Sequence, residues 1–158
     1  MALSRVFEPI RIRNLDVPNR VVRAAHGTGF GHSGVSDQFI GYHLERARGG
    51  VGLTILEASP VHRSTALPGH LRCDDDSVID GYRRMMAQIR PHGMRVFQQL
   101  WHGGHHYPGM GGAIPLSASM LPSVNNSLVP WAMTPADIGT VIAAFAARRF
   151  GQRQRCAQ

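Results

Sequence analysis

The chain contains no lysine. All 17 of its basic residues are arginine, against 10 acidic ones, for a formal net charge of +7. A basic excess of this size raises the question of nucleic acid. The arginines are dispersed, apart from "RRFGQRQR" at positions 148–155, and no aromatic residues alternate with them as a stacking surface requires. Arginine in place of all lysine looks like a codon-biased genome, and dispersed charge looks like a solvated surface, so no nucleic-acid partner is expected. Cysteine is almost absent. Cys73 and Cys156 form neither a disulfide framework nor a metal-ligand spacing, which fits a reducing cytoplasm. Long apolar runs are missing too. The longest candidate, about 138–147, is too short for a membrane span, and the opening "MALSRVFEPIRIRN" has no apolar signal core. Neither membrane insertion nor export is expected.

What remains is a chain of 158 residues, long enough for one domain with a real core. "FEPIRIRNLDVPNRVVRAA" alternates in short segments around a turn at 14–18 and predicts a small hairpin leading into a strand at about 20–25. Ser36 is placed to cap a helix ending at Arg48, with Ile40, Leu44 and Ala47 as apolar contacts, and Gly49–Gly50 stops it. "VGLTILEAS" is a nearly continuous apolar run and reads as a buried strand. A second helix is expected at about 77–90, with Val78, Ile79, Tyr82, Met85, Met86 and Ile89 on one side, ended by Pro91 and Gly93. "RVFQQLW" supplies a third strand, residues 103–133 a long surface loop, and Thr134 with Pro135 and Asp137 the start of a third helix. Strands alternating with helices predict an α/β fold with a parallel sheet covered by helices.

Two stretches carry candidate chemistry. "GFGHSG" at 29–34 matches G-x-G-x-x-G, and Glu57 at the end of the second strand stands where a ribose-binding acid would sit. In a dinucleotide fingerprint, however, the glycines form the turn and the first helical residues, so that the helix dipole meets the pyrophosphate. Here three residues separate the strand end at Ala25 from Gly29, and the helix begins only after Ser36. The other reading is a loop that needs positive φ at its glycines. The second stretch, "RVFQQLWHGGHH", mixes large apolar residues with two glutamines and three histidines, as a buried strand does when its end delivers polar groups to a site. His102, His105 and His106 lack a nearby carboxylate or cysteine and follow or flank a loose Gly103–Gly104, so no metal is expected there.

Taken together, "VFEPIRIRNLDVPNRVVRAA", "GGVGLTILEAS", "QQLWHGG" and "MTPADI" resemble, in order and spacing, the N-terminal half of the Old Yellow Enzyme family of FMN-dependent NADH:flavin oxidoreductases. "HGTGF" looks most like the branch containing the 2,4-dienoyl-CoA reductases and trimethylamine dehydrogenase. The resemblance implies a (β/α)₈ TIM barrel with its site at the C-terminal strand ends, represented here by a leading hairpin and about three βα units within residues 1–150. It implies FMN as cofactor, NAD(P)H as co-substrate, and hydride delivery to a small-molecule acceptor such as an activated alkene. By the same resemblance Gln99 hydrogen-bonds the flavin pyrimidine edge, Ala58 leaves room for the ring, Ala25, His26 and Gly27 pass beside it, and His102 is the signature histidine. The residues alone leave two alternatives open: Gln99 as a polar group satisfied inside a barrel layer, and His102 as a structural histidine.

The sequence also departs from that family. Ala25 stands where proline is usual, His26 where methionine is frequent, Gly27 where some members carry threonine or cysteine, and His105 where the signature has arginine. After "MTPADIGTVIAAFAARR" the family pattern is lost and residues 151–158 form a basic tail, so a truncated barrel, inactive alone, is expected. Its missing C-terminal half, or a second copy of the chain, is the expected partner of the open sheet. A non-catalytic half-barrel module and a Rossmann-type dinucleotide binder are the alternatives.

Overall fold

The computed structural model describes residues 4–31, 34–65, 69–74, 76–125 and 127–155. His32 and Ser33 of the glycine motif, and Cys156 in the tail, lie outside the described residues. The leading hairpin is present, with β1 (Ile10–Ile12) pairing antiparallel to β2 (Leu15–Val17). The following strand, β3 (Val22–Arg23), is shorter than its apolar run predicted. It pairs in parallel with β4 (Leu53–Pro60), which pairs in parallel with β5 (Arg95–Trp101). The sheet order β3-β4-β5 is the one expected of consecutive βα units.

Helix α1 (Asp37–Arg48) starts where its cap dictates. The Ser36 hydroxyl accepts the Phe39 N–H and donates to the Phe30 carbonyl at 2.8 Å. Its buried face is Phe39, Ile40, His43 and Ala47; Leu44 is only half-buried. Helix α2 (Ile79–Ile89) begins two residues later than the apolar pattern suggested, and its N-cap Val78 offers no capping side chain. Both helices cover the same face of the sheet, where Phe39, Ile40 and Ala47 meet Leu56, Tyr82, Met85 and Ile89 in one cluster.

The opposite face is open. Val22 is 49% and Phe97 37% exposed there, unusual values for residues of a parallel strand. The stretch at 103–133 is not wholly irregular: β6 (Leu116–Ser117) pairs with β7 (Trp131–Ala132). Helix α3 (Pro135–Arg155) opens with a reciprocal cap, in which the Thr134 N–H and hydroxyl both donate to the Asp137 carboxylate and the Asp137 N–H returns to the Thr134 oxygen. The backbone helix passes position 150 without a break. No helix among the described residues is long and apolar enough to cross a membrane.

Candidate functional site at the C-terminal strand ends

The two adjacent glutamines of β5 part company as strand alternation requires. Gln98 turns to the helix layer. Its amide nitrogen donates to the Glu57 carbonyl at 2.8 Å and the Ser59 hydroxyl at 2.7 Å, while its oxygen accepts the Tyr82 hydroxyl at 2.5 Å. Gln99 is exposed on the open face, and no described residue hydrogen-bonds its side-chain amide. Of the two, only Gln99 has an amide free to meet something outside the fold.

Its neighbour across the strand is set by an irregularity. Leu56 pairs with Gln98 but Ala58 with Gln99, so Glu57 is an extra residue on β4. Without this bulge the register would put Glu57 beside Gln99. With it, a methyl group stands there, and a planar ligand meets no bulk. Bulges re-aim side chains in this way at sheet rims, and the Gln98 bond to the Glu57 carbonyl holds this one in shape.

Ala25, His26 and Gly27 leave β3 at the same end of the sheet. The neighbour that holds them, Arg23, was not singled out in the sequence. It lies buried on the helix face. Its guanidinium donates to the Ile55 carbonyl at 2.8 Å and the His26 carbonyl at 3.2 Å, and lies over the Tyr42 ring of α1. Among the described residues it has no carboxylate partner, so carbonyl dipoles and an aromatic face offset its charge. A single arginine interrupting "VVRAA" was the available signal. The His26 imidazole does not turn to the face that Gln99 occupies: it engages Arg23 at 3.1 Å and the Tyr42 hydroxyl at 3.2 Å, on the α1 side. Gly27 is exposed, but the space a side chain would need is filled. A Cβ there would lie 2.2 Å from Nε2 of His70, whose ring fills the side-chain direction of position 27.

His102 has both ring nitrogens occupied. Nδ1 accepts the Gly104 N–H at 3.1 Å, which leaves Nε2 protonated and facing the Ser64 hydroxyl at 2.8 Å. Ser64 in turn meets His62 Nδ1 at 2.8 Å. Burial, then His62, push the His102 pKa down, so the ring is a neutral brace between the end of β5 and the loop after β4. His106 turns away to Ser123 at 2.7 Å, and the histidine run does not converge on one point.

The described residues of the glycine motif, 29–31 and 34, do not form a dinucleotide cradle. Gly29 and Gly34 have φ of 73° and 111°, and α1 starts only at Asp37. A Cβ on Gly31 would lie 2.5 Å from the Leu71 backbone nitrogen, so the loop is packed against protein and not open to a pyrophosphate. Glu57 is fully buried and bonded to loop backbone, out of reach of any ribose.

Comparison with known proteins identifies the family and the fold. The sequence profile of the NADH:flavin oxidoreductase / NADH oxidase family matches residues 5–151. The NADH oxidase of Thermoanaerobacter brockii is 32% identical over 146 residues, covering 89% of this chain and 22% of the oxidase. Histamine dehydrogenase from Rhizobium sp. 4-9 superposes with a TM-score of 0.82 at 26% identity, over 92% of this chain and 23% of its own. Old Yellow Enzyme from Pichia sp. AKU4542, a TIM-barrel protein at 19% identity, shares the fold with a TM-score of 0.82, over 96% of this chain and 43% of its own. The chain therefore spans less than half the length of these relatives. With the profile matched along almost its whole length, the chain belongs to the NADH:flavin oxidoreductase family, that of the Old Yellow Enzymes.

Proposed function

We propose that this chain supplies the first rim of an FMN site in an oxidoreductase that takes hydride from NAD(P)H and delivers it to a small activated acceptor. The observation that carries the proposal is the pairing of an unengaged amide with a methyl group. Gln99 and Ala58 are register partners on the open face, at the strand ends where barrel enzymes bind their ligands. An amide offers one donor group and one acceptor, which suits the alternating carbonyl and N–H edge of a flavin pyrimidine. Ala58 leaves that edge unobstructed. Ala25 lies two strands away, about 10 Å at the usual strand spacing, a width that a planar tricyclic ring spans.

The fit at β3 is of a different kind. With the His26 ring engaged by Arg23 and Tyr42 and the side-chain space of Gly27 filled by His70, the segment 25–27 would meet FMN through its backbone and the Ala25 methyl. Bound FMN would supply the hydride chemistry; the protein's part is orientation and electrostatics around the ring. The residues present here orient and make room. None of them is assigned as proton donor, and His102, tautomer-locked by Gly104, is a brace and not an acid. The complete activity belongs to a barrel in which further strands cover the open face of β3-β4-β5. The alternative, a non-catalytic half-barrel whose partner chain covers that face, is favoured by the exposure of Val22 and Phe97.

The test is flavin absorbance of protein purified after FMN addition. It would use this chain and a joined chain in which residues 1–145 are followed by the matching remainder of a relative. The joined chain is expected to retain FMN. A colourless joined chain refutes the flavin-site reading.

A further inference from the structure

The flavin site as described gives no part to the carboxylate of Glu57, the most deeply buried acid among the described residues. Glu57 is 0% exposed and occupies the extra position of the β4 bulge. One carboxylate oxygen accepts both the Thr28 N–H at 2.8 Å and the Thr28 hydroxyl at 2.7 Å, and the other accepts the Leu71 N–H at 2.9 Å. These donors come from two different loops, 26–31 after β3 and 69–73 after β4. The same two loops touch twice more. The Gly31 N–H donates to the Gly69 carbonyl at 3.1 Å, and the His70 ring lies against Gly27. The fit around the carboxylate is close, since a Cβ on Gly31 would stand 2.7 Å from it.

Among the described residues no cation forms an ion pair with Glu57. Burying a charge without a counter-ion is costly unless hydrogen bonds replace its water. Here three donors do so. An ionised carboxylate accepts on both oxygens, whereas a glutamine amide accepts on one and donates on the other. Only the acid can satisfy both loops at once.

We propose that Glu57 is a positioning residue: it locks the loops 26–31 and 69–73 into one rigid rim at the C-terminal edge of the sheet, fixing the backbone against which the cofactor packs. The bulge serves both ends of this arrangement, directing the Glu57 carboxylate into the loops and the Ala58 methyl toward Gln99. The lock itself is a property of this chain; its consequence for cofactor binding rests on the flavin reading above.

Glu57→Gln keeps the shape and turns one acceptor into a donor facing an N–H. Amide hydrogen exchange of this chain, followed by peptide mass, reads the lock without any flavin. The expected result is exchange at least tenfold faster in peptides covering 26–31 or 69–73, with peptides of α1 and α2 within about twofold of wild type. Unchanged loop exchange, or an equal rise throughout, overturns the proposal. If Glu57→Gln does not yield folded protein, Thr28→Val decides: because the Thr28 hydroxyl also accepts the Phe30 N–H within its own loop, acceleration that extends to 69–73 supports the lock, and acceleration absent from 69–73 overturns it. In the joined chain, Glu57→Gln is expected to raise the FMN dissociation constant about tenfold. An unchanged constant with loosened loops refutes the positioning role while leaving the flavin site standing. A wild-type joined chain without FMN refutes the flavin reading while the exchange result still judges the lock.

Discussion

Lowering the pH should loosen the fold most strongly through one residue, His43. Its ring is fully buried on α1 between Phe39 and Tyr42, with Nδ1 3.5 Å from the Thr54 hydroxyl and Nε2 buried without a partner among the described residues. Burial first, then the positive charges of Arg23 and Arg46 and the neighbouring His26, push its pKa down from 6.5 to about 3. The native state therefore refuses a proton that the unfolded chain accepts below about pH 6.5. Stability contributed by the neutral ring is complete above that pH and is lost as pH falls toward 3. Integrating the difference from pH 7 to pH 4 gives roughly 3 kcal/mol, and relaxation around the ring brings the expected loss to about 1–3 kcal/mol. The assay is urea unfolding of wild type and His43→Leu across this range. The leucine variant removes both the titration and the unpartnered Nε2, so the stability difference between the two proteins should shift in favour of leucine with each pH unit below 6.5. A difference that stays flat from pH 7 to pH 4 refutes the assignment.

Gln98→Leu loses the bonds to Glu57, Ser59 and Tyr82 and should cost about 1–3 kcal/mol of stability, whereas Gln99→Leu should leave unfolding within about 0.5 kcal/mol; paired denaturation curves check the contrast. Gly31→Val forces a side chain against the Leu71 backbone and should lower the melting temperature by several degrees, on the order of 1–3 kcal/mol. A Rossmann site would instead show wild-type melting with NAD binding abolished, which differential scanning with and without NAD distinguishes.

How much of this was legible in the sequence follows from which physical signals are local. The caps at Ser36 and Thr134 were readable because a capping hydroxyl and the amide it meets lie within one turn. The strands β4 and β5 were readable from apolar runs, and the opposite facing of Gln98 and Gln99 from alternation alone. The Glu57 bulge was not, because a one-residue register shift is decided by the partner strand. The roles of Arg23 and His70 were hidden for a related reason: each fills space beside a segment that only tertiary packing brings near. Glu57 stands as a candidate ribose acid in the dinucleotide alternative because a sequence shows an acid at a strand end but not that both its oxygens are already taken. The resemblance to a family supplied what periodicity cannot, the TIM-barrel fold of the relatives and the proposal of a flavin as ligand.

The central claim, that Gln99 and Ala58 form a flavin-facing rim, is tested most directly by FMN titration of the joined chain, followed by flavin fluorescence, in wild type, Gln99→Ala and Ala58→Trp. The account predicts that Gln99→Ala weakens FMN binding about tenfold, as expected for the loss of about 1–1.5 kcal/mol of hydrogen bonding. Ala58→Trp should abolish binding, and both variants should unfold like wild type. Equal FMN affinity in all three proteins would contradict it.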